Sequence, residues 1–233
     1  MKASVIIVGL LLGACTTVPP RAEPPLGFLE DGFPSTGTCH QAWPAPLQDA
    51  FPRGAFALSL LPGLEVELND ARSQQRMHCW CSGMLRALKE GPLLPLASGA
   101  EVYRFTWIPS SRGPFVIRIE HLGPVHSLHV KRAGTEEGTL AVDRRILLTP
   151  TQWQAVQQRL DAARFWSMDR FFATRNLSYL DGSEWLLEGG RDGRYRMVSI
   201  HSPDPAGPAR AIHDLGVFLV ELSGLPMTEG SLY

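Results

Sequence analysis

The residues best suited to chemistry are cysteines and histidines in two short segments. Cys39 is followed by His40, and the second segment reads His78-Cys79-Trp80-Cys81. Thiolates and imidazoles form a soft ligand set that suits Cu(I) or Zn(II). However, the spacing is not Cys-x-x-Cys, and neighbouring residues do not readily bind the same ion. The candidate metal ligands are His40, His78, Cys79 and Cys81, together with Cys39.

A disulfide is the other use of these cysteines, and the sequence favours it. A bridge from Cys39 to Cys79 or Cys81 closes a loop of about 40 residues, for which the chain-entropy model gives roughly 4 kcal/mol of stabilisation. Besides Cys15 there are three cysteines, so one thiol stays free or pairs between chains. We therefore expect a structural bridge and no bound cofactor.

Three further histidines, His121, His126 and His129, lie close together in the sequence. The segment Val125–Lys131 is predicted to be a strand, in which alternate side chains point to opposite faces. His126 and His129 then lie on opposite faces, and a shared metal ion would need a bulge or a loop. Surface and core-edge positions are the simpler interpretation.

Recognisable catalytic motifs are missing from the sequence. It contains no G-x-S-x-G, H-E-x-x-H, Walker or G-x-G-x-x-G pattern. Glu184 and Glu188 could form an acid–base pair. However, a strand pair joined by a five-residue loop would place Glu188 near Arg194 and both glutamates on the face of Arg196. Ion pairing across the strands explains them more simply, so we expect no enzymatic activity.

Composition describes an ordinary globular chain. The 233 residues are 44% hydrophobic, with Lys+Arg 22 against Asp+Glu 23 and a net charge of −1. This apolar content is enough for one good core. The charge balance gives no electrostatic reason to expect nucleic-acid binding, which usually requires a basic surface.

The N-terminus has the layout of a secretory signal. One positive charge at Lys2 precedes a short apolar run over residues 3–12, and Leu12-Gly13-Ala14-Cys15 follows. This segment resembles the lipobox of bacterial lipoproteins. The resemblance implies removal of residues 1–14, acylation of Cys15 and, because Thr16 is not aspartate, an anchor in the outer membrane facing the periplasm. A buried apolar N-terminal strand is the alternative.

Domain organisation follows from the distribution of prolines and of periodic segments. Residues 15–38 are predicted to be the lipidated cysteine and a proline-rich tether, since five prolines fall within residues 16–38. Residues 39–100 form a small irregular lobe, with candidate strands at 56–60 and 64–68 and a helix over about 71–89. Residues 101–225 form the core domain, and residues 226–233 form a tail.

The core domain alternates in the manner of half-buried strands. Tyr103, Phe105 and Trp107 share one face, and a similar alternation begins at Phe115. Thr149-Pro150-Thr151-Gln152 indicates a helix start. We predict an α+β fold: a mostly antiparallel sheet of short strands with two helices packed on one face, beside the proline-rich N-terminal lobe. The predicted strands lie at 102–108, 115–120, 125–131, 140–148, 184–188 and 194–200, and the helices at about 149–168 and 208–222.

A second resemblance covers roughly residues 101–225. The stretch Leu180-Asp181-Gly182-Ser183-Glu184-Trp185, then Asp192-Gly193-Arg194-Tyr195 and Ser202-Pro203, is similar to a family of uncharacterised bacterial envelope proteins with a D-G-x-x-W strand. After Tyr195 the family's usual histidine and arginine-tryptophan pair are replaced by Arg196, Ser199 and Ile200. The resemblance implies an envelope location, and it indicates nothing about activity.

These observations predict a periplasmic lipoprotein that acts by binding. An anchor, a tether and a domain without a catalytic motif favour a non-enzymatic module that binds another envelope protein, in a protective, inhibitory or scaffolding role. The alternative is metal or thiol handling by the Cys/His segments. The oligomeric state is not indicated by the sequence.

Overall fold

A computed structural model describes residues 50–52, 55–56, 71–110, 112–136, 138–168 and 182–226, with the backbone alone for 71–76. The described residues form three helices and six strands, a mixed α+β fold in which the sheet dominates. In chain order they are α1 (Ala71–Ala87), β1 (Glu101–Pro109), β2 (Phe115–Leu122), β3 (Val125–Ala133), β4 (Leu140–Leu147), α2 (Pro150–Ala162), β5 (Ser183–Arg191), β6 (Arg194–His201) and α3 (Arg210–Ser223).

All six strands join one antiparallel sheet in the order β4-β3-β2-β1-β5-β6. The strands β1 to β4 follow one another as neighbours, as short hairpin connections allow. The chain then crosses from the β4 edge through α2 to β5, which pairs with the other side of β1. This topology confirms the predicted antiparallel sheet and all six of its predicted strands.

One sheet face carries the main core and is covered by α2 and α3. Phe105 lies edge-on to Trp185 with ring centroids 5.1 Å apart, and Leu160 and Leu219 pack on the same cluster. The start of α2 is the expected capping box, in which Thr149 and Gln152 exchange hydrogen bonds. Burying these aromatic rings is the largest apolar contribution available to the fold.

The opposite face is covered by α1, a third helix that the predicted arrangement of two helices on one face did not place on the sheet. Cys81 and Leu85 of α1 pack with Val116 and Leu186 of the sheet in a second buried cluster. The helix predicted at 71–89 therefore belongs to the packing of the sheet, although the sequence placed it in a separate lobe. Buried apolar residues on both faces of the central strands explain why a second helical layer is needed.

The β5–β6 hairpin differs from the sequence prediction in its loop. Arg191 pairs directly with Arg194, so the turn is two residues, with Asp192 and Gly193 both at positive φ. The predicted five-residue loop is therefore wrong. The short turn places Glu188 opposite Met197 and puts Arg196 on the other face.

Several predicted segments lie outside the described residues. These are the signal peptide, Cys15, the tether, residues 39–49, 53–54 and 57–70 of the lobe, and residues 227–233 of the tail. This part of the lobe includes the candidate strand at 64–68 and all but Phe56 of the candidate strand at 56–60, so neither prediction is tested. Within the part of the chain that the structure describes, no helix combines the length and the apolar character required to span a membrane.

Candidate functional site

A cavity of about 670 Å³ opens at one end of the sheet. Because neighbouring strands are antiparallel, this end gathers the last residues of β1 and β3 with the first residues of β2 and β4, and the end of α3 closes it. The cavity is lined by Trp107, Pro109, Ser110, Arg112, Gly113, Phe115, Arg132, Ala133, Gly134, Thr135, Ala141, Val220, Leu225 and Pro226.

Trp107 forms an aromatic wall of this cavity. It is only 7% exposed and packs edge-on against Phe115 with ring centroids 4.8 Å apart. Its indole Nε1 is buried and has no hydrogen-bond acceptor among the described residues. A buried donor without an acceptor costs about 1–3 kcal/mol, so this N–H is a natural contact for a bound acceptor group.

Two arginines make the cavity cationic. Arg112 and Arg132 are both exposed, and neither forms an ion pair within the described ranges. The described lining contains no aspartate or glutamate. Guanidinium groups bind carboxylates and phosphates through paired hydrogen bonds. The cavity therefore suits an anionic group attached to an apolar body.

The same lining lacks the parts of a common catalytic site. No cysteine, histidine, aspartate, glutamate or lysine stands among its described residues, so no side chain there is suited to act as a general base. Ser110 contacts the segment just before β5, since its Oγ accepts a hydrogen bond from the backbone N–H of Gly182 at 3.4 Å. The arrangement is suited to binding.

Glu188, one of the two glutamates considered as an acid–base pair, belongs to a buried ion network. Its carboxylate accepts two hydrogen bonds from Arg104 of β1, at 2.6 and 2.9 Å, and one from the hydroxyl of Tyr195 at 2.8 Å. Ion pairing is confirmed for this residue, but the predicted partners Arg194 and Arg196 are wrong. The partner comes from β1 because the hairpin register turns Arg196 to the other face.

Glu90 extends this network toward the β4 edge. Its carboxylate lies 2.6 Å from Nζ of Lys131 and 2.8 Å from Nη1 of Arg118, and 3.7 Å from Arg104. Burial lowers the pKa of Arg104, but the charge and hydrogen bonds of Glu188, together with the charges of Tyr195 and Glu90, outweigh it and raise that pKa above its ordinary value. The network is thus a set of paired charges that fastens the segment after α1 to the sheet.

Glu184, the second glutamate, interacts with the end of β6. It accepts a short hydrogen bond from the hydroxyl of Ser199, and its other oxygen lies 3.5 Å from Nδ1 of His201. The residue is buried. Both glutamates are thus engaged with side chains of neighbouring strands.

The two described cysteines have different states. Cys79 is disulfide-bonded, and its partner lies outside the described residues, as do Cys15, Cys39 and His40. Cys81 is a free, buried thiol whose Sγ contacts Sδ of Met77 at 3.7 Å. Burial, and then the charges of Glu184 and Glu188, raise its pKa well above the ordinary value.

The states of Cys79 and Cys81 argue against the metal site predicted at the Cys/His segments. A disulfide-bonded Cys79 supplies no thiolate, and Cys81 is held protonated in an apolar cluster. His78 is also buried, with its ring 5.9 Å from that of Phe51 and 5.8 Å from that of Phe56. Within the described residues, no group of three or more His, Cys, Asp or Glu side chains is arranged to hold a metal ion.

The remaining histidines lie as the alternation predicted. His126 and His129 are on opposite faces of β3; His129 contacts Asp143 at 2.6 Å, which lowers the pKa of that aspartate mainly through their hydrogen bond. His126 instead faces His121 across the β2–β3 hairpin and stacks on Trp153.

The comparisons with known proteins add no function: no protein-family model and no curated protein matches the chain. The likeness to lipoproteins and to the D-G-x-x-W envelope family stays a sequence-based prediction. The cavity residues were missed by sequence reasoning, because they come from four strands and α3 and form no contiguous motif. The one sequence feature that pointed to the cavity was Arg112, which lies in a loop between two strands rich in aromatic residues. An arginine in a loop does not by itself indicate which partner is bound.

Proposed function

We propose that this chain is a lipoprotein anchored through Cys15 to the periplasmic face of a bacterial outer membrane, and that its α+β domain binds another envelope protein without catalysing a reaction. Support for the anchor comes from the signal-like residues 1–14 and the lipobox-like Leu12-Gly13-Ala14-Cys15. Several acyl chains on one residue would hold the protein almost permanently, at about 0.8 kcal/mol per buried methylene.

The cavity at Trp107 is the observation that carries the binding proposal. It combines an aromatic wall, a buried N–H without an acceptor in the described structure, and two arginines without carboxylate partners there. An acidic side chain or a chain-terminal carboxylate on a protein segment would satisfy these groups together. Its neighbouring apolar residue would pack against Trp107 and Phe115.

Site-specific photo-cross-linking in intact cells tests this function. A photoreactive residue is placed at Thr135, an exposed cavity residue, and in a matched chain at Asp161, an exposed residue of α2 that does not line the cavity. The expected result is a discrete protein adduct from position 135 alone. Equal adducts from both positions, or none from position 135, would contradict the proposal.

A charge-removal variant identifies the contribution of the arginines. Replacing Arg112 and Arg132 with alanine should abolish the adduct from position 135. Arg210→Ala is the matched control, because Arg210 is an exposed arginine at the opposite end of α3. Retention of the adduct in the double variant would argue against an anionic partner.

Intact mass of the full chain, purified from membranes, tests the anchor. The mass should show loss of residues 1–14 and gain of acyl chains on Cys15, and Cys15→Ala should abolish the acyl mass. Metal or thiol handling, the alternative function, would instead require stoichiometric metal and reduced cysteines in the same spectrum. The disulfide state of Cys79 and the burial of Cys81 weigh against that alternative.

A further inference from the structure

At the opposite end of β2 from the cavity, two imidazoles meet above an indole ring. His121 and His126 are directly opposed in the β2–β3 hairpin, so their side chains leave the same face of the sheet. Their Nδ1 atoms are 2.9 Å apart. Both rings are partly exposed, and Leu122 and Val125 at the hairpin tip are 54% and 48% exposed, so solvent ions can reach the pair.

Ring geometry shows that the two imidazoles lie side by side. Their planes are within 20° of each other with centroids 4.7 Å apart. Each is nearly parallel to the indole of Trp153, at 22° for His121 and 11° for His126, with centroid separations of 5.3 and 5.2 Å. When both rings are neutral, one Nδ1 carries a proton, the other Nδ1 carries a lone pair, and the two face each other.

This spacing matches two adjacent ligands of a metal ion. With metal–nitrogen bonds of about 2.0–2.1 Å, two nitrogens 2.9 Å apart subtend about 90° at the ion. A tetrahedral ion would need a separation of about 3.3–3.4 Å at the same bond length. An angle near 90° is that of neighbouring ligands in the tetragonal geometry of Cu(II).

We propose that His121 and His126 form a surface site for a divalent copper ion, bound through both Nδ1 atoms. Binding converts the Nδ1–H ring to its Nε2–H tautomer, with the proton transferred through solvent, so both Nδ1 lone pairs face the ion and no net proton is lost. The other coordination positions are open to water. Two protein ligands make the site exchangeable, in contrast to a closed structural metal centre.

The surroundings leave the imidazole pair available to a cation. Among the described residues no carboxylate forms an ion pair with either ring. His129, which is bound to Asp143 on the opposite sheet face, is a natural control.

Titration of the purified full chain with Cu²⁺ alone, followed by tryptophan fluorescence, tests the site. Copper bound beside Trp153 should quench its emission, and Trp153→Phe should remove that component. Either His121→Ala or His126→Ala should weaken copper binding by at least about tenfold, since even outer-shell partners of metal ligands contribute about 10–100-fold. His129→Ala and Cys81→Ala should leave the titration unchanged.

Electron paramagnetic resonance of the copper-loaded wild type provides a readout that needs no variant. The expected spectrum is tetragonal, with coupling to two imidazole nitrogens. By the Irving–Williams order Cu²⁺ should displace Zn²⁺. Absence of imidazole coupling, tighter binding of zinc than copper, or quenching that survives in both folded histidine variants would overturn the proposal.

Discussion

Arg104 of β1 and Glu188 of β5 are paired in the strand register and joined by two parallel hydrogen bonds at 2.6 and 2.9 Å. Neither residue has measurable exposure to water. Arg104 also donates to the backbone carbonyl of Gly91 at 2.5 Å, so a single guanidinium links two central strands to the segment that follows α1. A buried ion pair of this kind fixes the strand register, because a shifted register would leave both charges buried without a partner.

Replacing Arg104 with methionine is expected to lower the free energy of unfolding by about 3–5 kcal/mol, because Glu188 is then a buried charge without its cation. The double variant Arg104→Met/Glu188→Leu should recover much of that loss, since an apolar pair of similar volume removes both desolvation costs. Urea denaturation of the three proteins measures the difference.

Arg145→Ala is the matched control for this experiment. Arg145 also pairs with a glutamate of the sheet, Glu120, but its side chain is 59% exposed, and exposed pairs contribute about 0–1 kcal/mol. If Arg104→Met costs no more than Arg145→Ala, the buried pair does not stabilise the sheet as argued.

The strands were predictable because their signal is local. Alternation at Tyr103, Phe105 and Trp107 follows from the pleat of one strand, and the Thr149–Gln152 capping box sets the start of α2 within four residues. Contacts between strands depend on register, which a single turn can change. Reading residues 189–193 as a loop gave Glu188 the wrong arginine.

The second helical layer and the candidate sites required information from distant parts of the chain. The helical pattern of α1 is ambiguous in the sequence, because Gly83 and the Cys79–Cys81 segment interrupt it. Packing on the sheet overrides this weak helix propensity. Similarly, Arg112 and Arg132 meet at the cavity only because β2 and β3 are antiparallel neighbours.

Cys81 is expected to resist alkylation in the native protein. Burial and the neighbouring charges of Glu184 and Glu188 raise its pKa, and the thiolate is the reactive form. Iodoacetamide at pH 8 should add no mass to Cys81 in folded protein and one adduct in denaturant without reductant. Reductant should then expose the thiol of Cys79 as well. Rapid native labelling at Cys81, mapped by peptide mass, would show that the α1–sheet packing is open.

Gly216 of α3 is expected to tolerate no side chain. A Cβ there would overlap the ring of Trp185, lying 2.9 Å from its Cε3 and 3.1 Å from Cζ of Phe105. Overpacking typically costs about 1–3 kcal/mol, against a gain of about 1 kcal/mol in helix propensity, so Gly216→Ala should give a net loss of stability. Gly91→Ala is the control, because no atom lies within 4 Å of that Cβ. Equal thermal midpoints for the two variants would show that α3 can shift away from the sheet.

His126 is expected to make the protein less stable on mild acidification. Burial, and then the charge of His121, lower its pKa in the folded state below the ordinary value of 6.5. The unfolded chain therefore binds the proton more readily, and the free energy of unfolding is highest above pH 6.5 and decreases as the pH falls toward the folded-state pKa. His126→Gln removes this group and should flatten that part of the profile, measured by urea denaturation in EDTA.

The variant His129→Gln distinguishes the titration of His126 from the titration of a carboxyl group at lower pH. His129 lowers the pKa of Asp143 below 3.8 through their hydrogen bond. The stabilisation from a carboxyl with a lowered pKa is present above its ordinary value and is lost as the pH falls through its folded-state pKa. His129→Gln should therefore change the profile near and below pH 4, while His126→Gln acts just below pH 6.5. Identical profiles for His126→Gln and the wild type between pH 5 and 7 would mean that the imidazole pair on Trp153 accepts a second proton without cost.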